Sequence, residues 1–376
     1  MIQALIRRWK MHKVIQGETG RASSFRAGAF LPVRRAPLAT AWLLSFMLFA
    51  LLLAPGPARA ASGGALDIAV LPFANLSEDM EAQMAVMPAV RDRLAEMGVE
   101  VAVEADVERI LFRDRVRDTA YVSADVANEL GDELGVEAVF LGCIVSFVQE
   151  DVPQMGLTAR LIDTRSGRIL WAGFASVNGT EFAGLLGLGE IKTIDRLIPK
   201  AVDRLLDSFS AGPPPVPREQ TYKIAVMPFK NNTEAVDADI KATYMSLVGL
   251  SRSRMFEPLE HGEIREAMVR SRIGKTGELD YETLEALSKE LRVDGILLGT
   301  LENYPKTEIA TVPPEVEMTV RLLDAREKRL LWYDSLLGTG KKSIILNTWN
   351  EVKPADETAF EVISKLMKRM EKLKWR

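Results

Sequence analysis

Few residues in this chain could carry chemistry. The one cysteine is Cys143, set in the apolar run Val139-Phe140-Leu141-Gly142-Cys143-Ile144-Val145. That setting suits a small buried hydrophobe better than a reactive thiol, and it leaves no partner for an intrachain disulfide. The two histidines are His12 and His261. One histidine in the body of the chain makes no metal cluster and argues against a histidine-based triad. Asp and Glu together number 52, yet no spacing singles out a carboxylate pair. Gly338-Thr339-Gly340-Lys341-Lys342-Ser343 superficially resembles a phosphate loop, but Ser335 stands where Gly is needed and Lys342 where Ser or Thr should follow the lysine.

Glycines Gly184, Gly187 and Gly189 precede a helical pattern, and helix amino termini attract anions. Asn75 and Asn231 lie just past an apolar strand, where open α/β sheets bind ligands, although turn and cap chemistry also accounts for them. No catalytic, cofactor-binding or metal-binding residue emerges, and no cofactor is implied. Asn75, Asn231, Gly187 and Gly189 are the expected ligand or docking positions. Arg160 with Asp163, and Arg321 with Asp324, recur in a hairpin; strand-edge ion pairing and a turn-opening Asp explain them. Trp171 and Trp332 read as aromatics that pin the same hairpin.

The elements that must position these residues follow from periodicity. Residues 67–73 read as a buried strand ended by Pro72. Met84, Met87, Val90, Leu94 and Met97 recur at helical spacing, with Pro88 marking where the regular part begins. A short strand over 99–103, two helices, a long strand over 138–148, a hairpin over 156–175 and a closing helix complete the set. Pro199 reads as a kink or late start in that last helix. The order is strand, helix, strand, helix, helix, three strands, helix. It predicts an α/β domain of two or three layers whose sheet is parallel at the crossovers and antiparallel at the hairpin.

The set then repeats. Ile68-Ala69-Val70-Leu71-Pro72-Phe73 returns as Ile224-Ala225-Val226-Met227-Pro228-Phe229. Leu134-Gly135-Val136-Glu137-Ala138 returns as Leu291-Arg292-Val293-Asp294-Gly295, and Arg160-Leu161-Ile162-Asp163 as Arg321-Leu322-Leu323-Asp324. Three ordered anchors at a nearly constant shift define a tandem. The expected division is a leader over 1–60, a first α/β domain over 61–211, a Pro-rich linker over 212–220 and a second α/β domain over 221–376.

Residues 1–39 are rich in Arg and Lys, an apolar run follows, and Ala58-Arg59-Ala60 closes it. These three parts make a secretory signal peptide with predicted cleavage after Ala60, the alternative being an uncleaved amino-terminal anchor. The apolar run is shorter than the roughly 20 residues of a spanning helix. No cysteine follows it, so the expected product is a periplasmic protein that is not a lipoprotein and touches membrane at most peripherally. The formal net charge of −4 conceals a basic leader on an acidic body. An acidic body argues against nucleic-acid binding by phosphate neutralisation. The carboxyl end, with Lys365, Lys368, Arg369, Lys372, Lys374 and Arg376, reads as a solvated helical face.

The repeated motifs are similar to those of the curli secretion channel family and its soluble relatives. These are the activator lipoproteins of penicillin-binding proteins, flagellar outer-membrane accessory proteins and the amino-terminal domain of the Tol translocation protein. The resemblance rests on Ile-Ala-Val-x-Pro-Phe with its Asn, on the mid-domain strand, and on Arg160 to Trp171 with their counterparts Arg321 to Trp332. It covers both domains, and it implies a periplasmic module for interaction or assembly. The lipid-bearing cysteine and the pore hairpins of the channel members have no counterpart.

The expectation is therefore a non-catalytic accessory or assembly protein of the cell envelope that docks an envelope protein partner, with self-association open to it. A periplasmic small-molecule sensor is the alternative, and a carboxylate hydrolase is a more distant third.

Overall fold

A run that is apolar at every position must be covered on both faces of its sheet. Ile68, Ala69 and Val70 are all buried, in strand β1 (Asp67–Val70). Pro72, which has no N–H to donate, lies just beyond its end. In the computed structural model the described residues are 66–183, 188–209, 221–273, 281–306, 312–341 and 352–375. Residues 1–60 and 212–220, read from sequence as leader and linker, and Gly184, Gly187, Lys342, Ser343 and Arg376 lie outside them.

The first repeat continues with β2 (Ala74–Asn75), α1 (Ala82–Glu96), β3 (Glu100–Val101), α2 (Glu104–Arg113), α3 (Ala124–Leu134), β4 (Ala138–Val148), β5 (Gln154–Asp163), β6 (Ile169–Asn178) and α4 (Ile194–Leu206). The second repeat comprises β7 (Tyr222–Val226), β8 (Lys230–Asn231), α5 (Ala238–Ser251), β9 (Phe256–Pro258), α6 (His261–Arg270), α7 (Tyr281–Leu291), β10 (Gly295–Asn303), β11 (Glu315–Asp324), β12 (Leu330–Thr339) and α8 (Ala355–Met370). The first sheet runs β3-β1-β4-β5-β6 and the second β9-β7-β10-β11-β12. Strands reached by a helical crossover are parallel, and the last three in each repeat are antiparallel. These are the two related α/β domains with mixed sheets that the sequence predicts. The two-residue strands β2 and β8, paired to β4 and β10, were not anticipated.

Pro88 departs from its expected place, and Pro199 from the late start that is one of its two readings. Neither marks a helix start; α1 begins at Ala82 and α4 at Ile194, and each proline lies inside its helix. Both are exposed, and so is Met84 one turn before Pro88. The carbonyl that each ring leaves without a donor therefore faces solvent rather than the core.

Each sheet is covered on both faces, so the repeats have three layers. In the first, α1 and α4 cover one face, burying Ile68, Val70, Phe140, Leu157 and Leu161. The other face is divided. Helices α2 and α3 pack on Ala69, Leu71, Val139 and Leu141. Cys143, Val145 and Ala172, nearer the hairpin, belong instead to the core built by α5 and α8 of the second repeat, against which Phe174 also packs. Helices α5 and α8 thus lie between the two sheets. This explains α5, in which every residue from Ala242 to Leu250 is buried. A helix without a polar side must be covered all round. It also explains why residues 63–376 form one compact unit.

Candidate functional site

The chemistry-bearing residues collect where the repeats meet. Arg160 projects from β5 and is fully buried. Its Nε donates to Glu260 Oε2 at 2.9 Å, and its Nη2 donates to Glu260 Oε1 at 3.0 Å and to the Ala120 carbonyl at 2.6 Å. The guanidinium also lies 4.9 Å from the centre of the Tyr244 ring on α5. Glu260 occupies the position just before α6, and its side chain makes no cap bond there. The expectation of strand-edge pairing for Arg160 is therefore corrected: it reaches across to the other repeat. Asp163 and Asp324 do open their turns, accepting the backbone N–H groups of residues two and three further on.

His261, the first residue of α6, is buried edge-on to Tyr121 at 5.8 Å and Tyr244 at 5.5 Å. Burial, helped by the positive charges of Arg160 and Arg265, pushes its imidazole down to about 3. Burial pushes the Cys143 thiol up to about 12, with Arg160 opposing. Burial also works to lower the Arg160 guanidinium, but Glu260 outweighs it and holds the group above its ordinary value. His261 and Cys143 are thus both held neutral, the reverse of a thiolate–imidazolium pair poised for attack. Arg160 Nη1, His261 Nδ1 and Thr158 Oγ1 lack hydrogen-bond partners within this cluster.

Further contacts extend the seam. A Cβ on Gly262 would lie 2.1 Å from the Val122 carbonyl oxygen, so only glycine lets α6 approach the first repeat this closely. The Ala124 N–H, at the amino end of α3, donates to Glu263 at 2.6 Å. Arg168 forms a two-pronged pair with Glu257, both bonds 2.8 Å. Phe360 of α8 stacks on Phe174 of β6 at 4.3 Å. The seam leaves a groove of roughly 110 Å³ whose lining includes Ser166, Arg168, Lys223, Glu257 and Glu263.

The positions anticipated from sequence lie elsewhere. Asn75 Nδ2 donates to the Asp79 carbonyl at 2.6 Å, while its Oδ1 accepts from the Ser77 N–H and hydroxyl. Asn231 repeats the arrangement with the Ala235 carbonyl and Thr233. Gly189 adopts φ +91°, a conformation that favours glycine. Gly187 lies outside the described residues. None of these is among the seam residues. What sequence reasoning missed was Glu260, Gly262, Tyr244 and Phe360, for which the signal was the unbroken apolar surface of α5. Among the described residues no cluster of three metal-ligating side chains occurs, and no helix is long and apolar enough to cross a membrane.

A family model described as lipoprotein GNA1162-like matches residues 62–212. No curated protein matches the sequence. Among solved structures, lipoprotein GNA1162 from Neisseria meningitidis is 23% identical, covering 38% of this chain and 99% of that one, with a TM-score of 0.28. The PelC dodecamer from Paraburkholderia phytofirmans is 18% identical, covering 41% and 91%, with a TM-score of 0.30. The LpoB C-terminal domain from Salmonella enterica is 18% identical, covering 36% and 92%, with a TM-score of 0.24. The GNA1162-like lipoprotein family model thus coincides with the first repeat.

Proposed function

We propose that this chain is a non-catalytic periplasmic accessory or assembly protein of the cell envelope, acting through protein–protein contacts. One observation carries the reading: the buried charged and aromatic side chains join repeat to repeat. Arg160, Glu260, His261 and Tyr244 are enclosed, and the titration of His261 and Cys143 is pushed away from the forms catalysis needs. A compact double module is left, to dock partners through its outer surfaces.

In this reading residues 1–60 are a leader cleaved after Ala60, 61–211 and 221–376 are the domains, and 212–220 joins them. Asn75 and Asn231 act as staples for the loops after β2 and β8, while Gly187 and Gly189 serve as docking positions. The matched family is one of lipoproteins, which weighs against an unlipidated protein. Cys143, the sole cysteine of the sequence, is buried in β4 and offers no acceptor for a lipid. The intact mass of the exported protein decides between them; a diacylglycerol-sized increment excludes the unlipidated form.

Crosslinked pull-down from envelope fractions tests the function. The expected result is one reproducible envelope protein, lost when the domains are unfolded by acid. The sensor alternative needs a ligand cleft, and the seam groove, at roughly 110 Å³, is smaller than the roughly 300–1,000 Å³ of most such clefts. A metabolite that raises the melting temperature, with no envelope partner recovered, would replace the first reading with the second.

A further inference from the structure

The seam is heterologous: the first repeat offers a sheet face, and the second offers helices α5 and α8 and the segment around Glu257–Glu260. By the internal repeat, the second repeat has its own copy of that sheet face and the first has its own copy of the helical face. Neither is covered by the other repeat among the described residues. We propose that these two unused faces bind each other between copies of the chain, so that a second copy docks head to tail as the second repeat docks on the first. This goes beyond the proposed function, which concerns an envelope partner.

The side chains at the corresponding positions support this. On the sheet face, Leu330, Tyr333 and Leu337 stand where the first repeat has Ile169, Ala172 and Ser176. Tyr333 is 55% exposed and Leu337 54%. On the helical face, Met84 and Val103 stand where the second repeat has Ile240 and Glu260, and they are 72% and 65% exposed. Large apolar side chains are thus exposed at positions that the internal seam covers. Charge is complementary as well. Arg329 stands for Arg168 and Glu100 for Glu257, reproducing across two chains the pair that closes the seam. Both are exposed, and the one ion pair described for either is that of Arg329 with its neighbour Glu327.

The faces also differ from the internal seam in ways that set the strength. Pro88, Arg91 and Asp92 replace Tyr244, Leu247 and Val248 on the helical side, and Glu302 and Ser335 replace Val145 and Phe174 on the sheet side. Val103 in place of Glu260 leaves Arg321 without the buried partner that Arg160 has. The contact between copies is therefore weaker than the internal seam, reversible and salt-sensitive. A heterologous contact closes into a ring or grows into a filament, depending on the rotation it imposes.

Sedimentation velocity of the purified full chain at rising concentration, in low and high salt, gives the first measurement. Glu100→Arg or Arg329→Glu alone should weaken association by more than about tenfold, and an equimolar mixture of the two variants should restore it. Both side chains are exposed, so neither change threatens folding. A short bismaleimide then reads orientation, since buried Cys143 does not compete. Glu100→Cys mixed with Arg329→Cys should crosslink, while each variant alone should not. A monomer at every concentration, crosslinking of either variant with itself, or association indifferent to both charge reversals overturns the proposal. An envelope protein captured on Tyr333 and Leu337 in place of a second copy would overturn it too, while leaving the proposed function intact.

Discussion

Helices α1 and α5 occupy the same place in the two repeats and lead opposite lives. In α5 the stretch Tyr244-Met245-Ser246-Leu247-Val248-Gly249-Leu250 is buried throughout. In α1 the corresponding Pro88 and Asp92 are exposed, and Arg91 and Arg93 half-buried. The fold is the same, because the residues facing each helix's own sheet are equivalent: Val86 and Val90 in α1, Ala242 and Ser246 in α5. What differs is the far side. A repeated module keeps its inner pattern and changes its outer one according to what lies next to it.

The comparison breaks most sharply at the arginine that both hairpins share. Arg160 is buried against Glu260, whereas Arg321 lies on an exposed strand face, 6.0 Å from the Tyr333 ring centre. Glu260→Ala leaves a buried guanidinium unpaired and should cost about 3–5 kcal/mol in a denaturant melt. Arg321→Ala should cost about 0.5 kcal/mol or less. Arg160→Met combined with Glu260→Leu should recover most of the loss, because a buried pair is dearer to break than to replace. Equal costs for Glu260→Ala and Arg321→Ala would mean that the seam is not the structural joint described above.

Phe360 gives the next largest effect. It lies between Phe174 and Arg252, 4.3 Å from the one ring centre and 4.9 Å from the other's guanidinium carbon. Its counterpart on α4 is the exposed Pro199. Phe360→Ala should destabilise by about 3 kcal/mol, the usual order for an aromatic truncated in a packed interface. Pro199→Ala should stabilise, since an exposed helix interior prefers alanine to proline. Opposite signs at equivalent positions, measured by the same urea midpoint, are the distinguishing result.

The repeats differ in pH response as well, because only the second begins its α6-type helix with a buried imidazole; Glu104 holds that place in α2. His261 is held down to about 3 when folded, against roughly 6.5 when unfolded. The unfolded chain therefore binds more protons between these values. The contribution is fully present above about pH 6.5 and is lost as pH falls toward 3. Its share should reach about 2–3 kcal/mol by roughly pH 4.5. His261→Phe should flatten the stability profile over that window relative to the parent chain. Carboxylates titrate there too, so the difference between the two profiles is the quantity to compare; parallel profiles would mean that the imidazole is hydrated in the folded state.

Most of the fold was legible because local patterns and the internal repeat agreed. The apolar runs at 68–71 and 224–227, the helical spacing in α3 and α7, and the two hairpins each identified an element, and each was seen twice. Strands β2 and β8 escaped because two residues carry no periodicity. The joint between the repeats escaped for a different reason. Arg160-Leu161-Ile162-Asp163 and Arg321-Leu322-Leu323-Asp324 are nearly the same words, and nothing local says that one arginine is enclosed. The information lay in the contrast between repeats: an α5 without a polar side, and the small Ala172 in β6 where β12 has Tyr333. Local pattern names elements, whereas only the difference between copies shows where they meet.

The smallest effect is the most discriminating, because it separates folding from assembly. Arg168 and Glu257 are partly exposed, with side chains 33% and 19% accessible, so solvent screens their pair. Arg168→Ala should lower stability by only about 0.5–1 kcal/mol, the range for well-aligned surface pairs. Arg329, its counterpart on the unused face, pairs only with its neighbour Glu327 among the described contacts. Arg329→Ala should leave the melting midpoint of the dilute chain unchanged and yet weaken its self-association. If Arg329→Ala instead lowered the midpoint of the dilute monomer, its side chain would be holding the second repeat's own hairpin. The resemblance between the two arginines would then be one of ancestry alone, without a shared task.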